Sequence, residues 1–204
     1  MSLIRQWLLM SLPFALWGTS MAAMAPLVVS GGPYLVASLR LFPAGLALLI
    51  SCIVLGRRLQ IAKADFGWFV LFTVIDASCF QAFLAKGLVE TGAGLGSVLI
   101  DSQPLLEALL ARTLFGEAIN PIGWLGLMLG LLGIICLGMP PGLISQWWLL
   151  EKSSSTAILW NHGEGWMLAA AIAMAIGTVL IRYACKDSDP VAVTGWHMVL
   201  GSFP

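Results

Sequence analysis

The sequence predicts an all-α integral membrane protein: a polytopic helix bundle arranged as inverted five-helix repeats, with the second repeat truncated. Three observations carry this expectation. Apolar residues fill 59% of the 204 positions and charged residues only 10%, against about a quarter in soluble domains, too little polar surface to coat a water-soluble core. The apolar residues form continuous runs of membrane-spanning length without strict alternation, and in hydrocarbon such a run satisfies its own backbone as a helix. Lysine and arginine gather at alternate ends of those runs, as expected of a chain threaded back and forth through a bilayer.

Taken in order, the first span covers Trp7 to Val29. Only Arg5 precedes it and the run is longer than a signal-peptide core, so it reads as a retained helix. Further spans follow at Tyr34 to Leu55, Phe66 to Ala85, Ala93 to Phe115, Ile122 to Met139 and Gly165 to Tyr183. A seventh begins at Pro190 and stops at Pro204, short of the ~20 residues a crossing helix needs. The polar break between spans five and six holds Pro140-Pro141-Gly142, Ser153-Ser154-Ser155 and the tryptophans Trp147, Trp148 and Trp160. It reads as an external linker whose tryptophans sit at the headgroup layer. The organisation is thus a first repeat over 1–139, a linker over 140–164 and the start of a second repeat over 165–204.

Orientation follows from the positive charges. With the N-terminus inside, Arg5, Arg57, Arg58, Lys63, Arg112, Arg182 and Lys186 share the cytoplasmic side, Lys86 and Lys152 lie outside, and Arg40 is left within span two. The expected setting is a multi-pass protein of the plasma (inner) membrane. A net charge of zero argues against a nucleic-acid partner, leaving membrane lipid and a small solute. The cysteines Cys52, Cys79, Cys136 and Cys185 fall in or beside apolar runs with no CxxC and no histidine at ligand spacing. Buried reduced thiols are expected, with no metal and no cofactor.

The two halves resemble each other. Trp17-Gly18-Thr19 in span one matches Ile176-Gly177-Thr178 in span six, and Pro33 with its helix matches Pro190 with its own, which aligns Arg40 with His197. A five-span repeat forces its second copy to enter the membrane upside down. The charges agree, since the Ser30-Gly31-Gly32 loop is uncharged while its counterpart carries Arg182 and Lys186. Inverted repeats of this kind build secondary transporters around a central site.

The strongest local pattern runs from Gly94 through Asp101-Ser102-Gln103-Pro104 and Glu107 to Gly116-Glu117, followed by Pro121-Ile122-Gly123 and a glycine-rich span. It resembles the EamA family of the drug/metabolite transporter superfamily. In that family the fourth span carries a mid-helix proline and ends in Gly-Glu, as Pro104 and Gly116-Glu117 do here. Leu16-Trp17-Gly18, Arg40 with Ala44, and Trp196 look like further family features. The resemblance covers essentially the whole chain and implies a ten-helix, two-repeat solute transporter, usually an exporter of metabolites or amino acids. The end of span seven and spans eight to ten are lacking here.

Candidate solute contacts are Trp17, Arg40, Asp76, Gln81, Asp101 and Gln103. Arg40 at its depth would cost roughly 2.5 kcal/mol or more facing lipid, so it should face the bundle. There it either contacts an anion, forms an ion pair between helices or snorkels outward. Asp76 and Asp101, both expected near the midplane, are its candidate partners or else titrating groups. Trp17 with Gly18 offers an aromatic wall beside an open backbone, or plain packing. Gln103 precedes Glu107 by one helical turn, and Pro104 between them removes a backbone bond, giving a kink or a free carbonyl. Glu117 reads as structural. Gly123, Gly126, Gly130 and Gly133 form a stripe that admits another helix closely, within the repeat or in a homodimer. His162 reads as solvated.

An intramembrane enzyme is the competing class, but HExxH, GxSxG and aspartate-rich diphosphate motifs are all missing from the sequence. The other alternative is a non-transporting membrane scaffold or an inactive truncated remnant of such a transporter.

Overall fold

The computed structural model describes residues 3–138 and 162–203, and every regular element among them is helical. Helix α1 (Leu3–Gly31) and α2 (Pro33–Val54) form the first pair, joined by Gly32 alone at φ 84°. Pro33 opens α2 where its missing N–H has no intrahelical partner to lose. The third span begins as α3 (Phe66–Phe72), passes through a π-helical turn (Thr73–Cys79) and continues as α4 (Phe80–Ile100). Then come α5 (Gln103–Phe115), α6 (Pro121–Gly138), α7 (His162–Ala184) and α8 (Pro190–Leu200).

Several boundaries differ from those expected. The third span does not stop at Ala85 but runs to Gly92, where φ 73° and ψ 174° turn the chain in a conformation essentially reserved for glycine. The chain folds back so tightly there that both Gly87 and Gly96 abut the side chain of Met167. The fourth span is not one kinked helix. It breaks at Asp101-Ser102, because Pro104 has no N–H to continue the ladder, and α5 restarts with proline in its first turn. Helix α7 is already formed at His162, ahead of the expected Gly165. The rest of the linker, with Trp147, Trp148, Lys152 and Trp160, lies outside the described residues, as does the side chain of His162.

Helix α7 is the hub. It packs most extensively on α4 and also meets α3, α5 and the π turn. The approach is close because both faces are small or flexible: Ala170, Ala171 and Ala175 are buried on α7, and Gly163 lies against the backbone and Cβ of Glu90. Without a hydrophobic force between helices in lipid, such small-residue contacts supply the packing. Met21, Met24 and Val28 of α1, Ala37 of α2 and Phe80, Leu84, Leu88, Leu99 and Ile100 of α4 complete this core. A second contact pairs α2 with α8 through glycines on both sides: a Cβ on Gly45 would meet the Gly195 carbonyl at 2.9 Å, and one on Gly195 would meet Leu49.

The outer surface is apolar. Leu8, Leu16, Leu27, Leu39, Ile53 and Phe66 are more than half exposed, and α6 shows Ile122, Leu125, Leu129 and Leu132 likewise, a surface that suits lipid and not water. The chain is therefore an all-α, multi-pass membrane protein. Among the described residues four helical stretches are long and apolar enough to cross: Arg5–Gly31, Pro33–Val54, Phe66–Phe115 and Gly163–Ala184. Cys136, expected to be buried, is exposed on α6, whereas Cys52 is buried and Cys79 and Cys185 are half-buried.

One end of the bundle is closed by polar contacts between two loops. Asp65, 2% exposed, accepts hydrogen bonds from the Asp187 N–H (2.8 Å) and the Ser188 hydroxyl (2.7 Å). The Ala62 N–H donates to Ser188 Oγ at 2.9 Å, and Trp196 Nε1 donates to the Leu59 carbonyl at 3.0 Å. Asp189 caps α8 by accepting from Val191 N at 2.9 Å, and Arg57 meets it at 3.3 Å. Together these contacts fasten the loop after α2 to the loop after α7, so that Arg57 and Asp189 lie at the same end. At the other end Lys86 lies 4.1 Å from the ring centroid of Trp166.

Candidate functional site

The deep polar groups collect around the π turn. A π-helical turn, closed by i→i+5 bonds, breaks the α-helical register, so it re-aims the side chains it carries, and such turns recur at functional sites. Asp76 sits within it and faces α7 and α8. Space for its carboxylate exists because position 177 is glycine, where any Cβ would overlap the Asp76 side chain. From α8, His197 Nε2 lies 2.9 Å from Asp76 Oδ2, with the two side chains 8% and 21% exposed. His197 Nδ1 lies 3.2 Å from the Thr194 carbonyl, and the imidazole stacks on Phe72 at 4.3 Å and 18°.

A second group starts one turn further along, at Phe80. Its ring stacks on Trp17 of α1, and the Arg40 guanidinium of α2 lies 5.0 Å from the centroid of the same Trp17 ring. Arg40 Nη1 also points at the Met24 sulfur, 3.5 Å away. A groove of about 410 Å³ beside it is lined by Ser20, Met24, Leu27, Ser30, Leu39 and Arg40. Gln81, next to Phe80, is 7% exposed, and its Oε1 has no hydrogen-bond partner among the described residues.

The expected pairing of Arg40 with Asp76 or Asp101 does not form. Among the described residues Arg40 makes no ion pair. It lies over Trp17 instead, and the π face takes the place of a carboxylate. Asp76 is engaged by His197. Asp101 is exposed at the break between α4 and α5, where it lines a groove of about 420 Å³ with Pro104, Gly126, Gly130 and Gly133. Gln103 Nε2 does donate to Glu107 Oε1, as the one-turn spacing suggests. Glu117 meets Arg182 at 3.0 Å, both about half exposed. Gly18 is exposed with open space around it, so Trp17 does not pack on it. The glycines of α6 admit no helix closely: Gly126 and Gly133 face open space, Gly123 nears only the side chains of Ile119 and Asn120 just ahead of the helix, and Gly130 nears Leu105 at 3.8 Å.

His197 is the functional candidate that sequence reasoning passed over, having seen it only as the counterpart of Arg40. The available signal was simpler: Asp76 and His197 are isolated polar residues inside apolar runs, and a buried polar group requires a partner. Among the described residues no cluster of three or more His, Cys, Asp or Glu is placed to hold a metal ion.

Comparison with known proteins adds to this geometry. Residues 5–139 match the EamA-like transporter family. An uncharacterised transporter of Synechocystis sp. is 47% identical over 204 residues, covering 98% of this chain and 62% of the relative. A WAT1-related chloroplastic protein of Arabidopsis thaliana is 46% identical over 201 residues, 98% of this chain and 46% of that protein. An uncharacterised transporter of Archaeoglobus fulgidus is 25% identical over 201 residues. The chain thus spans about half to two thirds of the length of these relatives. No solved structure matches it.

Proposed function

The chain belongs to the EamA-like transporter family, and from that premise we propose that it works as part of a secondary transporter moving small polar metabolites or amino acids across the membrane. Transport runs outward, by alternating access between two inverted repeats, the first over 1–139 and the second from 165, joined by the linker over 140–164. The observation that carries the reading is Arg40: a guanidinium inside a membrane-spanning helix, over an aromatic ring and without an acidic partner among the described residues. An intramembrane cation is costly unless something anionic or polar completes it, and a solute carboxylate does so.

Trp17 supplies the wall beside Arg40, Gln81 an unmet acceptor, and Asp76, Asp101 and Gln103 further polar contacts. Gly18, Pro104, Glu117, Gly126 and Gly130 shape the backbone and helix ends. The inverted arrangement is supported by the paired proline starts of α2 and α8 and by the close α2–α8 contact at Gly45 and Gly195. It also fits the loop after α7 docking on the loop after α2, at the end away from Gly32. With that end cytoplasmic, the N-terminus is inside, the setting is the plasma membrane, and a homodimer would use a lipid-facing surface.

Solute flux in reconstituted vesicles tests the site. Replacing Arg40 by Gln and Asp101 by Asn together should abolish it, and unchanged flux rejects the assignment. Thiols placed at Arg58 and Lys186 should label from one side and a thiol at Gly32 from the other. Labelling of Arg58→Cys and Lys186→Cys from opposite sides removes the inverted model.

A further inference from the structure

We propose that Asp76 and His197 form an intramembrane proton-binding site whose single exchangeable proton holds α8 against the third span. The inference deepens the transporter reading by naming the proton as its coupling ion.

The argument is one of donors and acceptors. The Thr194 carbonyl can only accept, so the 3.2 Å contact is a hydrogen bond only when the His197 Nδ1 that faces it carries hydrogen. The other ring nitrogen, Nε2, is then an acceptor in the neutral imidazole. Yet it faces a carboxylate oxygen of Asp76 at 2.9 Å, a second acceptor when ionised. That contact needs one more proton, on Nε2 as an imidazolium or on Oδ2 as a carboxylic acid. In either form the pair is neutral overall. When the proton leaves to water the pair carries one negative charge, and the single hydrogen left on the ring can serve only one of the two contacts: on Nδ1 it leaves two lone pairs facing each other at Asp76, and on Nε2 it leaves a bare Nδ1 against the Thr194 carbonyl.

Among the described residues no other group is placed to hold this pair together. On the π turn itself the remaining titratable side chain is Cys79. At the start of the third span Asp65 is committed to Asp187 and Ser188. On α4, Lys86 lies by Trp166, and Glu90 is near the Gly92 turn, with Asp101 at the far break. On α7, Arg182 pairs with Glu117, Tyr183 stacks on Trp68, and Glu164 is in the first turn. On α2, Arg40 lies over Trp17 and Cys52 is buried, and at the start of α8 Asp189 meets Arg57. The pair is closely enclosed, with Phe72 on the ring face and Gly177 against Asp76, while a Cβ on Gly201 would overlap Ala77 of the same turn. Asp76 belongs to the first proposed repeat and His197 to the second, so protonation bears on the contact between the halves that alternating access must make and break.

The test is a pH titration of the ¹⁵N-histidine-labelled chain in lipid nanodiscs, following His197 Nε2 by NMR and the carboxylic carbonyl stretch of Asp76 by infrared spectroscopy. Assignment is simple, since the sequence has two histidines, His162 and His197. The expected result is one proton released at the pair, in a step that His197 Nε2 reports in either form, joined by the carbonyl stretch where Oδ2 holds the proton, and that Asp76→Asn and His197→Gln each abolish. An Nε2 that never carries a proton while Asp76 is ionised throughout, or a pair that keeps its proton up to lipid-damaging alkalinity, overturns the proposal. The wild-type spectrum needs no variant to fold. Flux without titration removes the proton site and leaves the carrier standing; titration without flux does the reverse.

Discussion

Two glycine-bearing faces of the bundle behave differently. Around α7, glycines at 87, 96, 163 and 177 stand where a Cβ would meet Met167, Glu90 or Asp76 closer than van der Waals contact allows. On α6, Gly126 and Gly133 keep the regular spacing that suggests a packing stripe, yet their Cβ positions are open. The difference lies in the opposite face. The α7 interface presents small residues on both sides, whereas the glycines of α6 meet only the side chains just ahead of their own helix and, at Gly130, Leu105 beside a groove at Asp101. Regular glycine spacing marks a surface that can be approached, not one that is.

The comparison is broken most sharply by alanine at the tightest sites. Gly201→Ala and Gly177→Ala should each destabilise by about 1–3 kcal/mol, the usual cost of overpacking, because the atoms met are Ala77 and the Asp76 side chain. Thermal unfolding in detergent reads this, and an unchanged midpoint for both would mean that α7 and α8 do not meet the π turn. Gly92→Ala should cost about 1–3 kcal/mol by backbone strain alone, since nothing lies within reach of its Cβ. If so, the loss should persist when neighbouring side chains are trimmed.

A smaller effect is expected at the polar end. Burial pushes the Cys185 thiol up to about 11, helped by the negative charges of Asp65 and Asp189. Maleimide should therefore label Cys185 slowly near neutral pH and faster in Asp65→Asn, and a rate equal to that of a free thiol contradicts the arrangement. Desolvation pulls the Asp189 carboxyl upward, but N–H bonds from Val191 and Ala192 and the Arg57 guanidinium together hold it below the usual carboxylate range. A depressed folded value means this contribution is present above the ordinary aspartate pKa of about 3.9 and fades as pH falls through the lower folded value. Acid unfolding should therefore begin earlier in a variant that keeps Asp189 but lacks Arg57. The smallest effect is at α6, where Gly126→Ala should leave stability unchanged or raise it by about 0.5–1 kcal/mol through helix propensity.

Hydropathy made the spans legible because lipid demands continuous apolar runs, and Pro33 and Pro190 marked where helices start. The break at Asp101-Ser102 was also written in the chain, as a polar pair two residues ahead of a proline, but a helix-long window averages it away. The π turn left no trace, since hydrogen-bond register does not change composition and Asp76 reads the same in an α-helix as in a π turn. The Asp76–His197 contact joins residues 121 positions apart, beyond any local pattern. Matching the repeats by their prolines aligned His197 with Arg40 and drew attention away from its real neighbour.

The turn at Gly92 reaches beyond packing. A reversal that uses a single residue leaves only Glu90 and Thr91 as a polar stretch between the third and fourth spans, which favours their entry into the bilayer as one hairpin. Ribosome-stalled chains ending before Ala93 should therefore sit less firmly in the bilayer than those carried through to Phe115.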